Sequence, residues 1–352
     1  MNRTISRITA TLLLVTMVLV VAACGSSSPP APTTGTPSGG NAADDSGGEE
    51  FYWRFALSAT SGSFQADYAL KVGEEITSRT NGKLKVDVFT DGVLGSDRES
   101  AENIQNGTIQ LTLVTFAILA NFAPEVGAAD LPYIISNWET AEKFLVSDVI
   151  DVQAEALLDK GFYSIGPYCF GFRQCTNNVR PIYTLDDFAG IKFRVQENDV
   201  FIATFRALGA YPVPMAQGEV ITAMQTNTID GQENPMFINY ILGLPEFQKY
   251  LSATSHVCAV SNFVANPAAL AELPEEYRQI VLDVVHENRL ALTQSAKESE
   301  ADYTQLLIDG GMEYNEVTPE NIEIFRQVCM EEVWPQFADQ YGEMIDIIAA
   351  LG

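Results

Sequence analysis

GIKFRVQ (190–196) and MQTNTIDGQENP (224–235) bracket the stretch whose reading decides the fold. In the first, Ile191, Phe193 and Val195 alternate with Lys192, Arg194 and Gln196, the period of a strand with one buried face. Residues 200–208 then read as a helix that Gly209 ends. YPVPM (211–215) reads as a strand whose two prolines place it at an edge or sheet end. A short helix over 218–225 leads into TIDGQEN (228–234), another strand. Alternating strands and helices of this length are the grammar of a parallel sheet covered by helices.

The same grammar stands earlier in the chain. FYWRFAL (51–57) is a strand, and SATSGS (58–63) is a turn able to cap the helix expected over 66–80. KLKVDVF (83–89) is a second strand. The loop DGVLGSDR (91–98) and a helix over 99–105 precede a third strand, IQLTLVT (109–115). IQNGTIQ (104–110) aligns without gaps on MQTNTID (224–230): a helix end, a residue type that tolerates left-handed geometry, then Thr-Ile opening a strand. Two similar α/β lobes in one chain are the expectation. A helix over 274–308, opened by Pro274 and ended by Gly310-Gly311, is long enough to lie across both. Helices over 318–328 and 333–351 are expected to pack on the second lobe.

The chain has 352 residues, of which 47% are hydrophobic and 19% charged, with a net charge of -26. That composition buries a core and is not that of a disordered chain. Such acidity argues against a nucleic-acid partner and against adsorption to an anionic membrane surface. An anionic ligand remains compatible, because a cleft can be locally positive. Arg3 and Arg7 precede a mostly apolar run that ends in VAAC (21–24), the pattern of a lipoprotein signal with Cys24 as the lipid-bearing residue. Residues 25–50, rich in Gly, Ser, Pro and Thr, read as a flexible tether. The body is therefore expected outside the cytoplasm. Residues 51–170 with about 261–300 are assigned to the first lobe, and 171–260 with about 301–352 to the second.

Cys169, Cys175, Cys258 and Cys329 lie in a disulfide-permissive compartment. Cys169 and Cys175 are close enough in sequence to bridge, which would leave Cys258 with Cys329. Four cysteines allow three pairings, and buried free thiols are the competing expectation.

Signals of catalysis are weak. His256 and His286 stand without metal partners at ligand spacing, and both read as structural. Phosphate-cradling glycine loops, GxSxG and HExxH are all missing from the sequence. With Lys and Arg totalling 20, the arginines can be weighed singly. Arg54, Arg79, Arg206, Arg278, Arg289 and Arg326 sit at solvent-compatible positions, Arg98 has a local role with Asp97, and Arg180 is in a loop. Arg173, in FGFRQCTNN (170–178), and Arg194 are left. An arginine fork holds a carboxylate through two parallel hydrogen bonds, and that carboxylate could be structural or a ligand's.

LGSDRES (94–100), LPYIISN (131–137), GFRQCTNNVRPIYTLDDFAGIKFRVQ (171–196) and MAQGEVITAMQTNTIDGQENP (215–235), in this order, resemble one known family. It is that of the substrate-binding proteins of tripartite ATP-independent periplasmic (TRAP) transporters, of the DctP type. The resemblance spans residues 52 to about 345. It implies a two-lobed periplasmic-binding-protein fold with a long helix spanning both lobes. It implies a small organic acid bound in the interlobe cleft and delivered to membrane permease subunits, with no catalysis and no cofactor. Arg194 then grips the ligand carboxylate, Asn234 lies beside it, and Arg173 is a second contact. Asp97, in the matched LGSDRES, joins the cleft.

Other positions depart from the sialic-acid-binding members. Thr115 stands where they have glutamate, Gln217 where an aromatic ring is common, Glu197 where a neutral amide is usual, and Ser58 replaces an asparagine. The departures point away from sialic acid and toward a small hydroxylated or dicarboxylic acid. The alternative is a ligand-sensing lipoprotein that signals to a membrane receptor through the same fold and site.

Overall fold

The computed structural model describes residues 49–352. Cys24, the signal segment and nearly all of the expected tether lie outside the described residues. β1 (Phe51–Ala56), α1 (Phe64–Arg79), β2 (Leu84–Phe89), α2 (Asp97–Gln105) and β3 (Leu111–Thr115) realise the first β-α-β-α-β run. β1 pairs in parallel with both β2 and β3. Ser63 caps α1 by accepting from the Ala66 N–H at 3.1 Å, and Ala69, Val72 and Ile76 on the helix are buried.

β4 (Tyr163–Phe172) carries the chain out of this sheet. β5 (Gln174–Asn177), β6 (Lys192–Val195), β7 (Tyr211–Pro214), β8 (Gly231–Asn234) and β9 (Tyr250–Ala253) build a second sheet, to which β11 (Glu313–Glu316) adds an edge, after β10 (Cys258–Ala265) has returned to the first. The orders are β2-β1-β3-β10-β4 and β11-β9-β5-β8-β6-β7. β7, with its two prolines, is an outer strand, as its lost N–H donors require. The two crossings are tied together where the Arg173 N–H donates to the Val257 carbonyl at 2.9 Å.

The internal repeat is real in the backbone. Gly107 and Asn227 occupy aligned positions, and both are left-handed, with φ of 75° and 56°. Each turn aims the following chain into the strand, β3 or β8, whose far end reaches the cavity between the sheets.

The long helix runs Glu275–Asp309, about 50 Å at 1.5 Å per residue. Val281, Val284, Val285 and Leu292 pack into the first sheet's core with Phe55 and Phe263, while Leu307 belongs to the second sheet's cluster with Val220 and Leu251. One helix thus spans both sheets. Arg289 on it is not a surface residue: it is buried, and its Nη1 donates to the Pro167 carbonyl of β4 at 2.9 Å.

The C-terminal expectation needs correcting. Pro319–Glu332 is a helix whose Phe325 meets Phe188 of the second lobe, ring centroids 5.4 Å apart. Beyond it the expected single helix breaks at Pro335 and Gly342 into a 3-10 turn, Trp334–Gln336, and two short helices, Ala338–Tyr341 and Glu343–Ala349. That segment lies against residues 124–145 instead. Trp334 Nε1 donates to the Pro132 carbonyl at 3.1 Å, and the Lys143 ammonium donates to the Leu351 carbonyl at 3.1 Å.

Among the described residues the four cysteines, Cys169, Cys175, Cys258 and Cys329, are buried free thiols. A Cys169–Cys175 bridge does not form, because the chain changes sheets between them. Cys175 on β5 accepts from the Thr254 hydroxyl at 3.5 Å. Cys169 on β4 instead meets Cys258 on β10, with Sγ atoms 2.9 Å apart, so Cys258 does not pair with Cys329 either.

Gly231 opens β8 between β5 and β6, where a Cβ would lie 2.3 Å from the Thr176 carbonyl oxygen. Backbone on a neighbouring strand cannot yield that far. Gly231→Ala is expected to cost about 2 kcal/mol or more. A urea midpoint equal to wild type would show that the two strands are less tightly joined than described.

Candidate functional site

The strand ends that the two runs produce converge on one cavity. Ser58 follows β1, Asp97 and Arg98 open α2, and Thr115 ends β3. From the other sheet come Arg194 on β6, Glu197 just beyond it, Gln217 after β7 and Asn234 at the end of β8. Arg173 comes from the crossing between β4 and β5. All of these line a cavity of about 80 Å³, room for several waters or one small acid, since a single water needs ~10–15 Å³. Crevices outside the carboxyl ends of strands are where open α/β sheets bind ligands.

Local chemistry pins each wall. Ser96 and Glu99 form a capping box, the Ser96 N–H donating to Glu99 Oε2 at 2.7 Å, which fixes where α2 begins and so places Asp97 and Arg98. Gly95 before it has φ of 122° and its missing Cβ is replaced by Glu99, 2.7 Å away. Across the cavity Thr115 Oγ1 donates to Gln196 Oε1 at 3.0 Å, and Asn198 Nδ2 donates to the Ala117 carbonyl at 2.7 Å. These bonds join the first α/β run to the end of β6.

Arg173 is 2% exposed and its partner Glu233 0%. Nε and Nη2 donate to the two Glu233 carboxylate oxygens, Nη2 also to the Glu233 main-chain carbonyl at 2.7 Å and to Asn234 Oδ1 at 3.0 Å. His256 Nε2 lies 3.2 Å from Glu233, and its Nδ1 2.9 Å from the Thr254 hydroxyl. Burial opposes ionisation of Glu233, but Arg173 and His256 outweigh it and hold the carboxyl below its ordinary value. Asn234 Nδ2 donates to Gln232 Oε1 at 2.6 Å, and Asn239 Nδ2 to the Asn234 carbonyl at 3.0 Å. With Pro235 next in the chain, Asn234 is locked from both sides.

Arg194 is different. It is 3% exposed, and its Nε and Nη2 both donate to the Met215 carbonyl, at 3.0 and 2.8 Å. Nη1 is buried with no partner. Among the described residues no carboxylate lies within ion-pair distance of it. Burial lowers its pKa to about 10, with Glu233, Asp97 and Glu197 pulling it back up, so the group stays cationic at neutral pH. Asp97 is raised by burial and by Glu197, while the Ser58 hydroxyl and Arg194 oppose the shift. Among the described residues no cluster of three His, Cys, Asp or Glu side chains is placed to hold a metal ion.

A family model for bacterial extracellular solute-binding proteins, family 7 (DctP), matches residues 55–340. The chain belongs to this family. A solute-binding protein of Verminephrobacter eiseniae is 31% identical over 82% of this chain and 86% of its own length. The C4-dicarboxylate-binding periplasmic protein DctP of Rhodobacter capsulatus is 30% identical over 80% of this chain and 84% of its own. Among solved structures, the sugar-acid-binding protein DctPAm of Advenella mimigardefordensis, in complex with galactonate, superposes with a TM-score of 0.83 at 26% identity, covering 86% of this chain and 98% of that one. The DctP-type family is one of TRAP solute-binding proteins, and the two-sheet architecture with its long helix is shared with those structures.

Within this family member, the eight residues expected in the cleft all reach the cavity, with different duties. Arg173 lines the cavity while its Nε and Nη2 are held by Glu233. Arg98 lines the cavity, and among the described residues no hydrogen bond or ion pair joins it to Asp97. Glu233 had no sequence signal, being one acid among many beside Asn234. Gln65, Phe170 and Ser261 also line the cavity, on faces that only the sheet order brings together.

Behind the site, Asp130 is buried and its Oδ2 has no partner. Burial pushes its pKa up to about 8, Arg173 lowers it and Glu233 raises it. The unfolded carboxyl loses its proton near pH ~4. Between those values the folded state binds more protons, so stability falls as pH rises from about 4 to about 8. Asp130→Asn is expected to raise Tm by at least about 2 °C at pH 8 and little at pH 5. Equal shifts at both pH values would contradict the assignment.

Proposed function

We propose that the chain captures a small organic acid by its carboxylate, between its two sheets, and delivers it to TRAP-type permease subunits. A lipid on Cys24 holds it at the outer face of the cytoplasmic membrane in this reading. The observation that carries the proposal is the Arg194 guanidinium, buried with an unpartnered Nη1 and lacking a carboxylate partner. A buried unpaired charge costs several kcal/mol. A ligand carboxylate accepting from Nη1 removes that cost. The Met215 carbonyl fixes the plane of the fork, so little side-chain entropy is lost on binding.

Capture by closure also has support. An acid held by Arg194 and Asn234 on one side and touched by Ser58 and Thr115 on the other binds the closed arrangement better than an open one. That differential affinity is what hinge closure needs. Binding and release are the whole of the cycle, and the chain's residues perform no bond-breaking step in it.

Calorimetry of the purified protein against a panel of small organic acids is the test, with Arg194→Ala beside wild type. The variant is expected to weaken the tightest acid by about 100-fold or more, the loss of a buried charge-assisted contact. Equal affinity in a variant with wild-type circular dichroism would contradict the carboxylate role.

A further inference from the structure

Resting on the solute-binding reading above, we infer that the ligand is a hydroxylated monocarboxylate and that Asp97 and Glu197 exclude a second carboxylate. The cavity offers one buried guanidinium not already matched to a carboxylate. Arg173 lines it too, but its charge is met by Glu233 and its Nε and Nη2 are fully engaged. Arg194 has a buried donor without a partner and, among the described residues, no carboxylate paired with it. Asp97 and Glu197 share the cavity and lie within electrostatic reach of Arg194 and of each other.

A dicarboxylate gripped at one end by Arg194 carries a second negative charge into the small cavity that these two acids already line, and like charges in a desolvated site cost several kcal/mol. Arg98, half-buried like Asp97 and Glu197 themselves, is the one further cation on the wall and offsets only one of these two acids. Ligand hydroxyls answer the same wall well. They donate to Asp97 and Glu197 and accept from amide groups such as that of Gln217.

The test is calorimetry with D-gluconate and D-galactonate against succinate and fumarate, on wild type, Asp97→Asn and Glu197→Gln. An aldonate is expected to bind about 100-fold more tightly than either dicarboxylate. Each variant is expected to narrow that ratio by about 10-fold, chiefly by admitting the dicarboxylate. Tight succinate or fumarate binding in wild type overturns this inference and leaves carboxylate capture standing. Failure of every carboxylate to bind overturns both.

A different observation carries a second proposal. The structure assigns Cys169 and Cys258 as a disulfide-forming pair. Both thiols are buried on neighbouring antiparallel strands, β4 and β10, with Sγ atoms 2.9 Å apart. The register shifts between Cys258 and Val260, where Val260 is the residue paired with Cys169. Both strands lead directly into the crossings between the sheets, so the bond would clamp the two connections side by side. Burial raises the Cys258 thiol well above its ordinary pKa, so its thiolate is scarce once folded and the bond is made while the chain folds after export. A protein or small-molecule disulfide of that compartment is the oxidant. Its S–S bond breaks, its two sulfurs take up two electrons and the two thiol protons, and the Cys169–Cys258 bond forms.

Protein exported from cells and purified without reductant is denatured, alkylated and mapped by mass spectrometry. Alkylation of Cys175 and Cys329 alone, with a Cys169–Cys258 linked peptide, is expected. Alkylation of Cys169 and Cys258 before reduction, or a link from either to another cysteine, overturns the proposal.

Discussion

A guanidinium buried against a main-chain carbonyl, with no carboxylate to match it, is an expensive thing to fold around, and the structure holds Arg194 in that state. The Met215 carbonyl engages Nε and Nη2 and leaves Nη1 buried without a partner, in a residue that lines the cavity. Burial draws the pKa down only to about 10, so neutralisation is no escape at physiological pH. Desolvating a charge without pairing it is a standing cost. A partner that arrives from solution and carries its own negative charge converts that cost into affinity.

The rest of the site keeps competing partners away. Glu233, the carboxylate buried in the second sheet, is bound by Arg173 and His256. Asn234 is fixed by Gln232, Asn239 and Arg173. Such a network is pre-organised, so ligand binding does not have to order it. The long helix and the two crossings hold the sheets, while the contacts across the cavity, such as Thr115 with Gln196, close over whatever lies inside. On the proposed reading, acid selection falls to the other side chains of the cavity, where Asp97 from one lobe and Glu197 from the other add negative charge.

Much of this was legible in the sequence. Period-two alternation gave the strands, Gly107 and Asn227 marked matching turns, and Arg194 stood out in an acidic chain as an arginine in want of a partner. What was hidden depends on long-range placement. Arg289 sits on a helix whose neighbours look solvent-compatible, and only the packing of β4 beneath it buries the guanidinium. Cys169 is six residues from Cys175, yet a change of sheet between them sends it to Cys258 instead. Arg173 lines the cavity as expected, but its pairing with Glu233 was hidden because Glu233 resembles every other acid in the chain. Pro335 and Gly342 could have warned that the final helix breaks, but not that its pieces return to residues 124–145.

The central claim concerns one atom, Arg194 Nη1, and crystallography of the protein soaked with its tightest acid reads it directly. A ligand carboxylate oxygen is expected at about 2.7–2.9 Å from Nη1, with Nε and Nη2 still on the Met215 carbonyl and Arg173 still paired with Glu233. A bound acid whose carboxylate sits elsewhere, leaving Nη1 without an anionic partner, would contradict the account.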